Sequence, residues 1–329
     1  MVNNKEQKFL NEDDLKFSHF FPHHHRKDGK TVSAVLDRTV SLLTDQKSEV
    51  HEFIYRQGKL LPELTSLRNI VDLFRSIVFP GYFSSQFDRP ISLNYFTGRN
   101  LEKLYELLKE QIHNGFCFAE EEDTEELRNT AADLALKFIE RIPEIRRILA
   151  TDVKAMYNAD PSAKNFEEII FCFPTVRTMT NYRIAHELLK LGVPLIPRII
   201  SELAHSETGI DIHPGAEIGE YFCIDHGTGV VIGETCIIGN NVRLYQGVTL
   251  GAKRFNLDEN GNPLKDDPRH PIIEDGVVIY SNATILGRIT VGANSVIGGN
   301  VWITDNVPPN SKITQAKVTE DQYSSGSGI

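Results

Sequence analysis

The chain has 329 residues, 40% of them hydrophobic and 24% charged, and a net charge of −10. That length admits two domains and a sizeable core, while the acidic balance argues against nucleic acid as a main partner, because phosphate binding needs Lys and Arg clustered on one face. The opening MVNNKEQKFLNEDD has no apolar signal core and no run reaches membrane-spanning length, so neither secretion nor a membrane partner is expected and a cytoplasmic setting fits best.

Residues 1–205 read as a helical N-terminal domain. His23-His24-His25 near the polar start reads as a solvated loop rather than a metal tract. Leu101, Leu104, Leu108 and Ile112 form one apolar stripe at helical spacing, and Leu134, Phe138, Ile139 and Ile142 form a second, which Pro143 is expected to interrupt. Asn165 with Glu168 has the spacing of a capping box, and Pro174 suits the first turn of PTVRTMTNYRIAHELLK. His186 lies inside that helix, where a hydrogen-bonded packing role is expected. A last helix after Gly192 and Pro194 ends near His205, and Thr208-Gly209 marks the entry to a different pattern.

From Ile212 a β-branched residue or cysteine returns every sixth position: Ile212, Ile218, Ile224, Val230, Cys236, Val242 and Val248, then Ile273, Ile279, Ile285, Val291, Ile297 and Ile303. Period six fits neither a helix nor an ordinary strand. It is the pattern of a hexapeptide-repeat parallel β-helix, with one inward side chain per flat face and 18 residues per three-faced coil. Glycine or asparagine recurs near the corners, among them Gly215, Gly227, Gly233, Gly276, Asn282, Asn294 and Asn300. The β-helix is expected over residues 206–317. The period breaks between Val248 and Ile273, where the polar segment 252–271 must loop out, and the repeat fades at Val307-Pro308-Pro309. Residues 318–329 form a polar, flexible tail.

Asp225-His226 interrupts an aliphatic face just ahead of two nearby glycines, so an imidazole emerges at a corner with little cover, suited to general-base work. Asp211 precedes it by fifteen residues, three short of a coil. With coils about 5 Å apart, a corner could bring Asp211 to the ring and orient its tautomer. Three histidines on zinc are disfavoured, because His213 and His226 occupy different points of the hexapeptide and face different ways. Cys236 sits on the inward track and reads as core. Cys117, Cys172, Cys223 and Cys236 form no CxxC pair, which suggests neither a zinc knuckle nor a disulfide framework.

The strings DIHPGAEIG, DHGTGVVIGET, GVTLG and RHP, in this order and preceded by ADPSA and NYRIAHEL, resemble the serine O-acetyltransferases of cysteine biosynthesis. The likeness covers roughly residues 151–310, and the long N-terminal extension and the insertion RFNLDENGNPLKDD resemble a longer subgroup of that family. It implies an α+β chain, a helical domain followed by a left-handed parallel β-helix, assembled as a homotrimer or a dimer of trimers with sites between subunits. It implies acetyl transfer from acetyl-CoA, as co-substrate, to the hydroxyl of L-serine, with no metal. Residue by residue, it makes His226 the general base and Asp211 its orienting partner. Asp160, Asp225, Arg269 and His270 then hold serine, carboxylates near the ammonium and cationic groups near the carboxylate. Gly251, Ala252 and Ser281 fall on the coenzyme A path. Ala252 replaces a family glycine, Tyr280-Ser281 replaces another in the cofactor-facing turn, and N–H groups near Gly251 are candidate oxyanion donors. The resemblance further implies feedback by L-cysteine and docking of the tail, through Ile329, into cysteine synthase. A hexapeptide acetyltransferase for another hydroxyl acceptor would keep His226 without needing Asp160 and Arg269. A non-catalytic scaffold would need none of them.

Overall fold

The computed structural model describes residues 31–45, 60–83, 92–120, 122–254, 257–259, 261–262, 264 and 267–315. The His23-His24-His25 tract and the tail with Ile329 lie outside them. The chain divides into two compact units between Lys59 and Leu60. In the first, α1 (Val32–Leu43) is capped by Thr31, whose side chain accepts from the Ala34 N–H at 3.3 Å.

The second unit begins with α2 (Leu64–Val78), α3 (Leu93–Glu120) and α4 (Glu125–Ala159). The predicted stripes are their inward faces: Leu104, Leu108 and Ile112 on α3 and Phe138 and Ile142 on α4 are buried. Pro143 does not interrupt α4, contrary to expectation. A mid-helix proline costs about 3 kcal/mol, and the same face goes on to bury Ile145, Leu149, Val153 and Met156, each side chain contributing about 1.5–3 kcal/mol. Next come α5 (Phe166–Cys172), α6 (Pro174–Lys190) and α7 (Ile196–Thr208). Asn165 caps α5 by accepting the Glu168 N–H at 2.8 Å, while the Glu168 carboxylate takes the Lys164 N–H. Gly209, left-handed at φ 71°, ends α7 and opens the solenoid. No described helix is long and apolar enough to cross a membrane.

Helices and solenoid share one hydrophobic core, pinned by a buried polar junction. Arg183 on α6 donates to the carbonyls of Ile218 (2.6 Å) and Gly219 (2.7 Å) and pairs with Asp152 on α4 at 3.2 Å. Asp152 also accepts the Phe222 N–H, and Tyr182 donates its hydroxyl to Ala216 O. His186 takes the packing role expected of it, stacked on Tyr182 with Nδ1 2.8 Å from Pro214 O.

The solenoid runs through β1 (Asp211–Ile212), β2 (Glu217–Ile218) and β3 (Cys223–Asp225) in its first coil, and β4 (Val231–Ile232), β5 (Ile237–Ile238) and β6 (Arg243–Tyr245) in its second. The third holds β7 (Thr249–Gly251), β8 (Ile272–Ile273) and β9 (Val278–Ile279), the fourth β10 (Thr284–Leu286), β11 (Thr290–Val291) and β12 (Val296–Ile297), and β13 (Trp302–Ile303) and β14 (Lys312–Ile313) follow. Every third strand stacks in parallel, giving sheets β1-β4-β7-β10-β13, β2-β5-β8-β11 and β3-β6-β9-β12-β14.

Coil length is not uniform. Val231 pairs with Thr249, 18 positions on, but Asp211 pairs with Val231, 20 positions on. The surplus is localised: Asp225 lies opposite Tyr245, whereas the Gly247 N–H already bonds Thr228 O. His226 and Gly227 therefore have no counterparts in the next coil. Two inward positions per face, not one, build the core. Ile212, Ile218 and Ile224 are continued by Ile232, Ile238, Leu244 and Leu250, while Val230, Cys236, Val242 and Val248 continue Ile210, Ala216 and Phe222, and all are buried. The long insertion leaves after Gly251 and returns before Ile272, so that Thr249 pairs with Thr284, 35 positions on.

Candidate active site

The two surplus residues make a bulged corner between β3 and β4. His226 (φ 57°) and Gly227 (φ 91°) are both left-handed. Gly227 suits that conformation and leaves no room for a side chain, since a Cβ there would overlap Ile210 Cδ1. A non-glycine residue at positive φ is uncommon, and at this corner the imidazole stands outward, 72% exposed. Its Nε2 lies 3.9 Å from Asp225 Oδ1. Asp225 is the last residue of β3, and the carbonyl before it, Ile224 O, accepts the buried Thr175 hydroxyl of α6 at 2.5 Å.

Asp160, at the end of α4, joins this corner. The Ser162 side chain and its N–H, 2.8 Å from Oδ1, hold the Asp160 carboxyl below its ordinary range, and the nearby His226 imidazole acts in the same direction. Ser281, between β9 and β10, occupies the same edge two coils on. Beside it Tyr280 stacks on Tyr245 with ring centroids 4.9 Å apart.

A second group gathers at the next edge, between the first and second sheets. His270 lies against Gly233, and its Nδ1 faces the Thr235 hydroxyl at 2.9 Å and the Thr235 N–H at 3.1 Å. Burial pushes the His270 imidazole down to about 4, assisted by the Arg269 charge. Arg269 bonds Glu234 at 2.6 Å. His213, Gly251 and Ala252 lie along this edge too, and burial lowers the His213 imidazole as well.

The sequence-predicted residues thus divide between two edges of a triangular prism. Asp160, Asp225, His226 and Ser281 stand on one; Arg269, His270, Gly251 and Ala252 stand on the other. Asp211 opens β1 between them. Its coil partner is Val231, so His226 falls five positions short of a full coil rather than three, and among the described residues no hydrogen bond joins Asp211 to His226.

A family model described as bacterial transferase hexapeptide (six repeats) matches residues 270–305. The chain is 48% identical over 302 residues to the "Serine acetyltransferase, plasmid" of Synechococcus elongatus, covering 89% of this chain and 95% of that one. The chain belongs to the serine acetyltransferase family. The serine acetyltransferase of Bacillus licheniformis is 44% identical over 167 residues, 51% of this chain and 73% of its own. Two solved structures carry the likeness into three dimensions. Serine acetyltransferase isoform 3 of Entamoeba histolytica, in complex with cysteine, is 32% identical with a TM-score of 0.66, covering 88% of this chain and 96% of that one. Serine acetyltransferase 1 of the same organism, in complex with L-cysteine, is 34% identical with a TM-score of 0.66, covering 85% and 97%.

In this serine acetyltransferase three further residues, which sequence reasoning passed over, hold the candidate site residues in place. Glu234 and Thr235 orient Arg269 and His270, and Thr175 anchors the strand that carries Asp225. Glu234-Thr235 closes the string DHGTGVVIGET, so its position was visible. Its partners, 35 residues on beyond the insertion, were not.

Proposed function

We propose that this chain transfers the acetyl group of acetyl-CoA to the hydroxyl of L-serine, with His226 as general base. The observation that carries this reading is the two-residue corner insertion, which presents one exposed imidazole beside Asp225 and near Asp160. His226 takes the hydroxyl proton as the serine oxygen attacks the thioester carbon, and returns it to the departing thiolate as the C–S bond breaks. Asp211 stabilises and orients the imidazolium once the exposed ring turns toward it. Asp160 and Asp225 attract the serine ammonium, and Arg269 and His270 take its carboxylate. N–H groups near Gly251 are the oxyanion donors of this reading, and the coenzyme arm runs by Gly251, Ala252 and Ser281.

A site using all these groups needs both edges. The reading therefore includes a homotrimer, alone or as a dimer of trimers, in which the His226 edge of one subunit faces the Arg269 edge of the next. It keeps 206–317 as the catalytic domain, with the helices before it contributing Asp160. It also includes L-cysteine as a feedback ligand, a cytoplasmic location, and docking on cysteine synthase through Ile329, which calorimetry with and without Ile329 tests.

The decisive experiment is thiol release from acetyl-CoA with serine, homoserine, maltose and aminoglycosides as acceptors. Serine is expected to be turned over best. Equal turnover of a sugar would reject the amino-acid site, and no turnover of any acceptor would leave a scaffold.

A further inference from the structure

Far along the sequence from these residues, His113 and Cys117 stand four apart on α3, on one face and a turn from each other. Asp123 lies in the short connection to α4, just before its Thr124 cap. One ligand atom from each lies within 4.8 Å of the others. His113 Nε2 is 3.1 Å from Asp123 Oδ1 and 3.3 Å from Cys117 Sγ. One ring nitrogen thus faces both a carboxylate and a thiol. Protonated, it donates to the carboxylate; unprotonated, it accepts from the thiol; it cannot do both.

A tetrahedral cation satisfies all three groups together. With Zn–N and Zn–O near 2.1 Å and Zn–S near 2.3 Å, the ligand-to-ligand edges are about 3.4–3.6 Å, a few tenths of an ångström beyond the His113–Asp123 and His113–Cys117 separations and within reach of small side-chain rotations. His113 and Cys117 are buried, while the Asp123 side chain keeps 43% exposure, so the fourth position opens to water. Arg128 grips Asp123 from outside, 2.7 Å from Oδ1 and 2.5 Å from Oδ2, in the manner of an outer partner that orients a ligating carboxylate. CxxC spacing is absent from this chain; the donor set is instead an i, i+4 pair closed by a residue from the following turn.

We propose that His113, Cys117 and Asp123 bind Zn²⁺, or a cation of the same borderline-soft class, in a site that clips the end of α3 to the start of α4. On binding, Cys117 gives its thiol proton to solvent and the thiolate forms the Zn–S bond, with nothing oxidised or reduced.

The test uses the full chain and the metals alone. After equilibration with Zn²⁺ and removal of unbound metal, plasma mass spectrometry should find about one zinc per chain at this site. Cys117→Ser and His113→Gln should each weaken binding on the order of tenfold or more, while a variant with His23, His24 and His25 all changed to Ala should keep it. In the unaltered chain, Co²⁺ should give a thiolate-to-metal charge-transfer band in the near ultraviolet, whose presence depends on no variant folding, and Cys117→Ser should abolish it. No such band in the unaltered chain, zinc content unchanged in Cys117→Ser, or zinc lost only from the His23–His25 variant would each overturn the proposal.

Discussion

The His270 ring fills the space that a side chain at Gly233 would need: a Cβ there would overlap Cδ2 and Nε2 of the imidazole. The insertion between β7 and β8 thereby returns onto a flat spot one coil earlier, and Thr235 fixes the ring from the other side. Gly233→Ala should displace His270 without unfolding the solenoid, since Gly233 itself has ordinary negative φ and needs no glycine for its backbone. Expected is a rise in the serine KM on the order of tenfold, about 1.4 kcal/mol, with the acetyl-CoA KM nearly unchanged. Steady-state kinetics beside circular dichroism checks it; an unaltered serine KM would remove His270 from the serine site.

Removal of His226, the proposed general base, should be costly and local. His226→Ala is expected to lower kcat on the order of a hundredfold or more, with smaller losses in Asp211→Ala. Deleting both His226 and Gly227 lets Asp225 run directly into Thr228 and restores the 18-residue coil of the neighbours. That variant should stay folded by circular dichroism and lose acetyl transfer altogether. Retention of activity would mean that the corner is only a spacer.

His270 also predicts a pH effect. Its folded-state value, about 4, lies below the 6.5 of a free imidazole. The unfolded chain therefore binds a proton that the folded chain refuses between those limits, and stability falls as pH drops from about 6.5 toward 4. Protonation would also remove the Nδ1 lone pair that accepts from Thr235. In His270→Asn this contribution disappears, so the melting temperature of the variant should fall less steeply than that of the unaltered chain over that window. Parallel curves would contradict the assignment.

At the junction of helices and coils, Asp152→Ala would leave Arg183 buried without its counter-charge. Loss of one partner of a buried pair costs about 3–5 kcal/mol, and here it also frees the Phe222 N–H. Urea denaturation should show that loss, and a change below about 1 kcal/mol would place the pair in solvent instead.

L-cysteine keeps the ammonium and carboxylate of serine and differs only at the reacting atom, so it should compete with serine for the same four residues. Inhibition is expected to raise the apparent serine KM and leave kcat unchanged. Arg269→Ala should weaken cysteine and serine together if its guanidinium takes the shared carboxylate as proposed. Weakening of serine alone would place cysteine elsewhere.

Much of this protein is local enough to read from its residues. The helical stripes, the Asn165 cap, the helix end at Thr208-Gly209 and the period of six each depend on neighbours within a turn or a strand, and each is found where expected. Pro143 leaves α4 unbroken, against the local signal, because burial along the whole face of the helix outweighs one missing hydrogen bond.

The number of residues in a coil was not legible, for a physical reason. On a strand, residues two apart point the same way, so a two-residue insertion moves the apolar period from one inward position to the other without breaking it. Val230 continues the rhythm of Ile224 while sitting in a different place. The sequence by itself determined that the chain would wind into parallel coils and which residue types could do acid–base chemistry. Only the tertiary structure decided that His226 stands on a bulged corner with Asp160 and Asp225, and that Arg269 and His270 occupy another edge. Both follow from how many residues each turn takes and where a long loop returns, and neither is set by any residue's immediate neighbours.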